Sequence, residues 1–105
     1  MKKPATRLER EHLALVASLP CIACGASPVE CHHIAGHGVR ASHFETIPLC
    51  PKCHRHGPVG TAIHSGRRSF EARYGTEREL LSSTLKRLGV DELITESKIL
   101  PRKIV

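Results

Sequence analysis

The chain has 105 residues, with 16 Lys and Arg against 10 Asp and Glu and a formal net charge of +6. That length suits one compact domain, residues 1–105, whose core is small enough to need reinforcement; with two Phe, one Tyr and no Trp, the large rings that usually fill a core are nearly missing. No apolar run follows Met1-Lys2-Lys3-Pro4 to make a signal peptide and none is long enough for a membrane-spanning helix, so a cytoplasmic, reducing setting is expected for the five Cys.

The chain-order reading begins with a helix from about Thr6 to Leu19. Thr6 and Glu9 have the form of a capping box, and Pro20 stops the run. Leu8, His12, Leu15, Val16 and Leu19 share one face at helical spacing. From Cys21 to His64 the helical period disappears, and Cys, His, Gly and Pro dominate. Val29–Ile34 reads as a short strand and Thr46–Leu49 as its partner, with Ala35-Gly36-His37-Gly38-Val39-Arg40 as the loop between them. A helix from Thr61 or Ser65 to Tyr74 should end at a left-handed Gly75, with Phe70 over Tyr74 and Arg67 over Glu71 at i and i+4. Thr76 and Glu79 form a second capping box opening a helix to about Leu88, closed by Gly89, and the tail from Lys98 reads as extended. The expected layout is thus an N-terminal helix at 6–19, a central unit at 21–75 and a C-terminal helical region at 76–105.

Cys21-x-x-Cys24 and Cys50-x-x-Cys53 are separated by 25 residues. Each pair can form a knuckle whose two thiolates reach one ion, and two knuckles complete the tetrahedral shell that structural zinc prefers. Redox cysteines and buried free thiols are the competing readings, and two matched pairs favour zinc. Such a closed site is a staple and has no open position for catalysis. Cys31 is left over, and reads as a small buried strand residue.

Seven of the eight His fall between His32 and His64. Neighbours in a strand point to opposite sides, so of His32 and His33 one imidazole can bind a metal while the other faces substrate. His54 follows the last knuckle directly, and His64 opens the next helical stretch. Phosphodiester hydrolysis needs such a set. A base must take a proton from water, which suits the pKa of histidine, and a cation must neutralise the phosphate and the departing 3′ oxygen. Between Cys31 and Phe70 the charged residues are Arg40, Lys52, Arg55, Arg67 and Arg68 against Glu45 alone, which suits a polyanion; solubility is the plainer explanation. Arg40, Arg55, Arg67 and Arg68 are the candidate phosphate contacts.

Cys21-Ile22-Ala23-Cys24, Glu30-Cys31-His32-His33-Ile34 and Ile47-Pro48-Leu49-Cys50-Pro51-Lys52-Cys53-His54 together resemble a zinc-bound HNH endonuclease. Ser42-His43-Phe44-Glu45-Thr46-Ile47-Pro48-Leu49, and Ile63-His64-Ser65-Gly66 through Phe70-Glu71-x-x-Tyr74-Gly75, look closest to the phage recombination-enhancement-function (Ref) nucleases. The resemblance implies an α+β fold: a small zinc-stapled, treble-clef-like ββα-metal core with flanking helices. It implies His33 as general base, His32 as a ligand of a catalytic Mg2+ or Mn2+, and His54, His64 or both as the helix-side ligands. It also implies a phage or prophage protein acting on DNA in a bacterial host alongside a recombinase filament. The chain contains no Asn, so the middle residue of the HNH motif is missing. His43 or Glu45 can orient the base in its place, and His43 is preferred because a ring nitrogen can pair with His33. The Gly57-Pro58-Val59-Gly60 insertion separates His54 from His64 and leaves their joint ligation open.

The expected function is therefore a metal-dependent endonuclease, a monomer or weak dimer, with little base readout of its own. Its rivals are a zinc module that only binds DNA or protein, and a decayed nuclease.

Overall fold

A computed structural model describes residues 4–34 and 42–89. The sequence-predicted loop that carries Arg40, and the extended tail, lie outside them.

The architecture is α+β. Helix α1 (Arg7–Ala17) starts from a complete capping box: the Thr6 hydroxyl accepts the Glu9 N–H at 3.1 Å, and the Glu9 carboxylate accepts the Thr6 N–H at 2.7 Å. Strands β1 (Glu30–His33) and β2 (Thr46–Leu49) pair antiparallel, with His32 opposite Ile47 and His33 opposite Thr46. A π-type turn (Lys52–His56) and a 3-10 turn (Ile63–Ser65) lead into α2 (Arg67–Tyr74) and α3 (Glu77–Leu88). Thr76 and Glu79 close the second capping box in the same reciprocal way. Each cap contributes about 1 kcal/mol.

Every residue of β2 is buried, so the strand lies between β1 and the helices rather than facing solvent. Ile47 and Leu49 join Phe70 of α2 and Leu80, Leu81 and Leu85 of α3 in one apolar cluster, which also takes in Cys21, Cys50 and Cys53. The cysteine pairs thus border the core they would reinforce. Phe70 and Tyr74 stack with centroids 5.0 Å apart, as their spacing predicts.

Four expectations need correction. The apolar face of α1 is narrower than its periodicity implies: His12 and Val16 are buried, while Leu8 and Leu15 are exposed. The helix expected from Thr61 or Ser65 begins only at Arg67, because the chain first makes the 3-10 turn and then passes through Gly66. Gly75 has φ 110° but ψ 164°, so it is no left-handed cap; it redirects the chain straight into the Thr76 cap, and Gly89 (φ 76°, ψ 28°) is the true αL residue. Arg67 does not pair with Glu71: it reaches Glu77, while Glu71 accepts the Glu77 N–H.

His12 packs edge-on against Phe44, and its Nε2 has no hydrogen-bond partner among the described residues. Burial holds its pKa below the ordinary value. The unfolded chain therefore takes up the proton first, and stability should fall as pH drops from about 6.5 toward the lower folded value. His12→Leu should remove that dependence and, by relieving the unpaired nitrogen, stabilise the fold by about 1 kcal/mol. Thermal melts of both proteins between pH 7.5 and pH 5 check this; a destabilised His12→Leu would show that the ring has a polar task.

Candidate functional site

The four cysteines converge. Their Sγ atoms all lie within 4.8 Å of one another, and Cys24 and Cys50 are 3.6 Å apart. That separation is far beyond a disulfide bond and close to the roughly 3.8 Å between sulfurs of a tetrahedral zinc site with 2.3 Å bonds. The first knuckle is held by Cys21 N–H to Ala26 O and Gly25 N–H to Cys21 O, both at 2.8 Å. The second is closed by His54 N–H to Cys50 O at 2.8 Å. Burial raises the Cys21 thiol, but N–H groups of Cys50, Cys24 and Ala23 more than offset this and bring it down to about 7. Burial and the neighbouring sulfurs push Cys53 up. A thiolate is thus already favoured at one corner and opposed at another, a balance that a shared cation would resolve. The donor set fits zinc. Cys31 stands apart, half-buried, its thiol donating to Leu13 O at 3.5 Å.

The second cluster is histidine. His32 of β1, His54 of the π-type turn and His64 of the 3-10 turn bring their ring nitrogens within 4.8 Å of one another. Ring centroids are 5.1 Å apart for His32 and His54, 5.3 Å for His32 and His64, and 4.8 Å for His54 and His64. The Gly57–Gly60 insertion does not keep His64 away. It folds into a tight turn, with Gly57 N–H on Lys52 O at 2.9 Å and Ser65 Oγ donating to Gly57 O at 2.9 Å. A Cβ at Gly57 would sit 2.5 Å from Lys52 O and 2.9 Å from Thr61 Cγ2, so this return needs glycine. His32 and His54 are buried and His64 is exposed, which leaves the cluster one open side. Three imidazoles on a dry floor suit a divalent cation.

His33 turns the other way from its strand neighbour. Its Nε2 lies 2.9 Å from His43 Nδ1, and both His33 and His32 line a cleft of about 430 Å³ with His64, Arg67 and Glu77. Burial, reinforced by the nearby His43 and His54, holds the His33 pKa below its ordinary value, so the neutral ring dominates at pH 7. Glu45, the other candidate to contact His33, pairs with Arg78 at 2.9 Å instead.

The basic residues divide. Arg67 lines the cleft, 3.8 Å from Glu77. Arg55 is exposed and 3.7 Å from Glu30. Arg68 is exposed on α2, outside the cleft lining and without an ion pair among the described residues. Arg40 lies outside the described residues.

Two acidic residues without an expected role also enter the site. Glu77, the first residue of α3, accepts from His32 Nε2 at 2.7 Å, and Glu30 meets His54 Nδ1 at 2.5 Å. Glu77 follows the Thr76 cap directly, where a first-turn acid is common, and that placement is the one sequence signal that points to it.

The family model described as recombination enhancement, RecA-dependent nuclease matches residues 5–89. The chain belongs to that family. The match takes in every described helix and strand, both cysteine pairs and all three clustered histidines. No curated protein matches the chain. Membership makes this a member of a nuclease family tied to recombination, and no helix among the described residues is long and apolar enough to cross a membrane.

Proposed function

We propose that the chain is a single-domain, metal-dependent HNH-type endonuclease that hydrolyses DNA phosphodiester bonds in recombination. The observation that carries this reading is the His33–His43 contact beside the three-imidazole cluster, with His32, His33 and His64 lining one cleft. His33 is the general base. Its Nε2 lies against His43 Nδ1; in the tautomer this role requires, His33 Nε2–H donates to that nitrogen, and His33 Nδ1 keeps a free lone pair to take a proton from the attacking water. His43 thus accepts the hydrogen bond that the side-chain oxygen of the missing Asn would accept, and so orients the base.

Cys21, Cys24, Cys50 and Cys53 would hold a structural zinc. His32, His54 and His64 would hold Mg2+ or Mn2+, which when bound neutralises charge on the phosphate and the departing 3′ oxygen. Arg67 at the cleft wall is the best placed cation for a substrate phosphate, and the exposed Arg55 and Arg68 are proposed as further phosphate contacts. Arg40 is proposed with them. The family's RecA dependence makes a RecA filament on DNA the fitting partner.

Nicking of supercoiled and single-stranded circular DNA, with Mg2+ or Mn2+ and with or without a RecA filament, tests this. Cutting that needs the divalent ion is expected. No cutting under any of these conditions, by protein carrying one zinc per chain, would leave a zinc module that only binds.

A further inference from the structure

His32 and His54 each engage a carboxylate, and they do so through opposite ring nitrogens. His54 uses Nδ1 toward Glu30 at 2.5 Å, and His32 uses Nε2 toward Glu77 at 2.7 Å. A neutral imidazole carries one proton, and a carboxylate acceptor holds that proton on the nitrogen facing it. His54 is therefore left with Nε2 as its unprotonated donor, and His32 with Nδ1.

Glu77 is built in rather than incidental. Its side chain is 12% exposed, its other oxygen lies 3.8 Å from Arg67, and its backbone N–H is held by Glu71. The N-terminus of α3 favours an anion at this position. Nor is Glu77 a member of the cation cluster: the donors lying within 4.8 Å of one another are those of His32, His54 and His64. Ligands on opposite sides of a small divalent ion stand about 4.2 Å apart at 2.1 Å bond lengths, so a true ligand would fall within that limit.

Resting on the cation site proposed above, we infer that Glu77 and Glu30 are its positioning residues, fixing Nδ1 of His32 and Nε2 of His54 as the nitrogens presented to the ion. Neither carboxylate touches the cation. Each locks one tautomer and one ring orientation, so the site is preorganised across β1, the π-type turn and α3. Outer carboxylates of this kind support ligating histidines widely, and losing one typically costs 10–100-fold in metal affinity.

The test reads tautomers and affinity separately on the zinc-loaded chain. Long-range proton–nitrogen spectra of 15N-labelled protein should show His32 protonated on Nε2 and His54 on Nδ1, before any Mn2+ is added. Mn2+ titration followed by electron paramagnetic resonance then gives the affinity. Glu77→Ala should mix the His32 tautomers and weaken Mn2+ binding by about 10–100-fold. In Glu77→Gln the amide oxygen still accepts the Nε2–H, so the tautomer and most of the affinity should return. Glu30→Ala should do the same to His54 alone; Glu30 is half-exposed and stands on β1, which keeps this arm independent of α3 stability.

A Glu77→Gln variant as weak as Glu77→Ala would make Glu77 a direct ligand and overturn the inference. So would wild-type tautomers and affinity in both alanine variants, which would reduce the pairs to structural links. Wild-type protein that takes up no Mn2+ beyond its zinc would remove the cation site, and the inference with it.

Discussion

His33→Ala should lower the rate of DNA cutting by about 100- to 10,000-fold, the range that a positioned general base supplies, and leave the fold intact. The separation follows from where the ring sits. His33 lies on the half-exposed side of β1, and its hydrogen bond goes to His43 in the turn before β2, outside the apolar cluster. Truncation there should cost about 1 kcal/mol, the net worth of one part-buried hydrogen bond, which is too little to unfold a domain. Nicking rates and thermal melts of wild type and variant, measured side by side, check both halves. A variant that still cuts would move the base elsewhere in the cleft; one that unfolds would make His33 structural. The same logic grades His43. His43→Asn keeps an acceptor for the His33 Nε2–H and should retain more activity than His43→Ala, which leaves that proton without a partner.

How much of this was legible in the sequence depended on range. The two capping boxes and the cysteine knuckles are local, encoded within four residues of themselves, and their spacing dictates geometry almost without reference to the rest of the chain. The β1–β2 pair was legible too, because the apolar residues of β2 need cover and Glu30–His33 lies one loop away. What escaped were pairings made only by packing. Glu77 meets His32 across 45 residues, a contact that exists because α3 lies against β2 and so brings its first turn to the edge of β1. Arg67 follows it, reaching across to Glu77 rather than down its own helix to Glu71. His12 looked like any helix-face histidine until Phe44, 32 residues away, closed over it. The His54–His64 meeting lies between these cases. The insertion between them reads as a spacer, yet the Gly57 turn makes it a return.

On the proposed zinc assignment, Cys50→Ala should unfold the middle of the protein, and chelation of the wild type should do the same. Cys50 is 5% exposed and stands where β2 passes into the turn that carries His54. The zinc it would share ties the Cys21–Cys24 knuckle to that junction, and the thiol lies inside the cluster formed by Ile47, Leu49 and Phe70. Structural zinc in small domains contributes about 10–16 kcal/mol of apparent binding energy, while a whole domain is stable by only about 5–15 kcal/mol. Three thiolates cannot recover the difference in a chain with so few large rings. Loss of the cooperative melt and of zinc content, followed by circular dichroism and metal analysis, is the expected result. Added zinc should restore chelated wild type but not Cys50→Ala. Cys31→Ala supplies the contrast: its sulfur donates to Leu13 O and, among the described residues, stands apart from the cluster of four, so it should keep both zinc and fold. If Cys50→Ala instead melted like wild type with its metal gone, the core would be carrying the fold alone. The imidazole cluster would then owe its geometry to packing, and the cysteines would need another purpose.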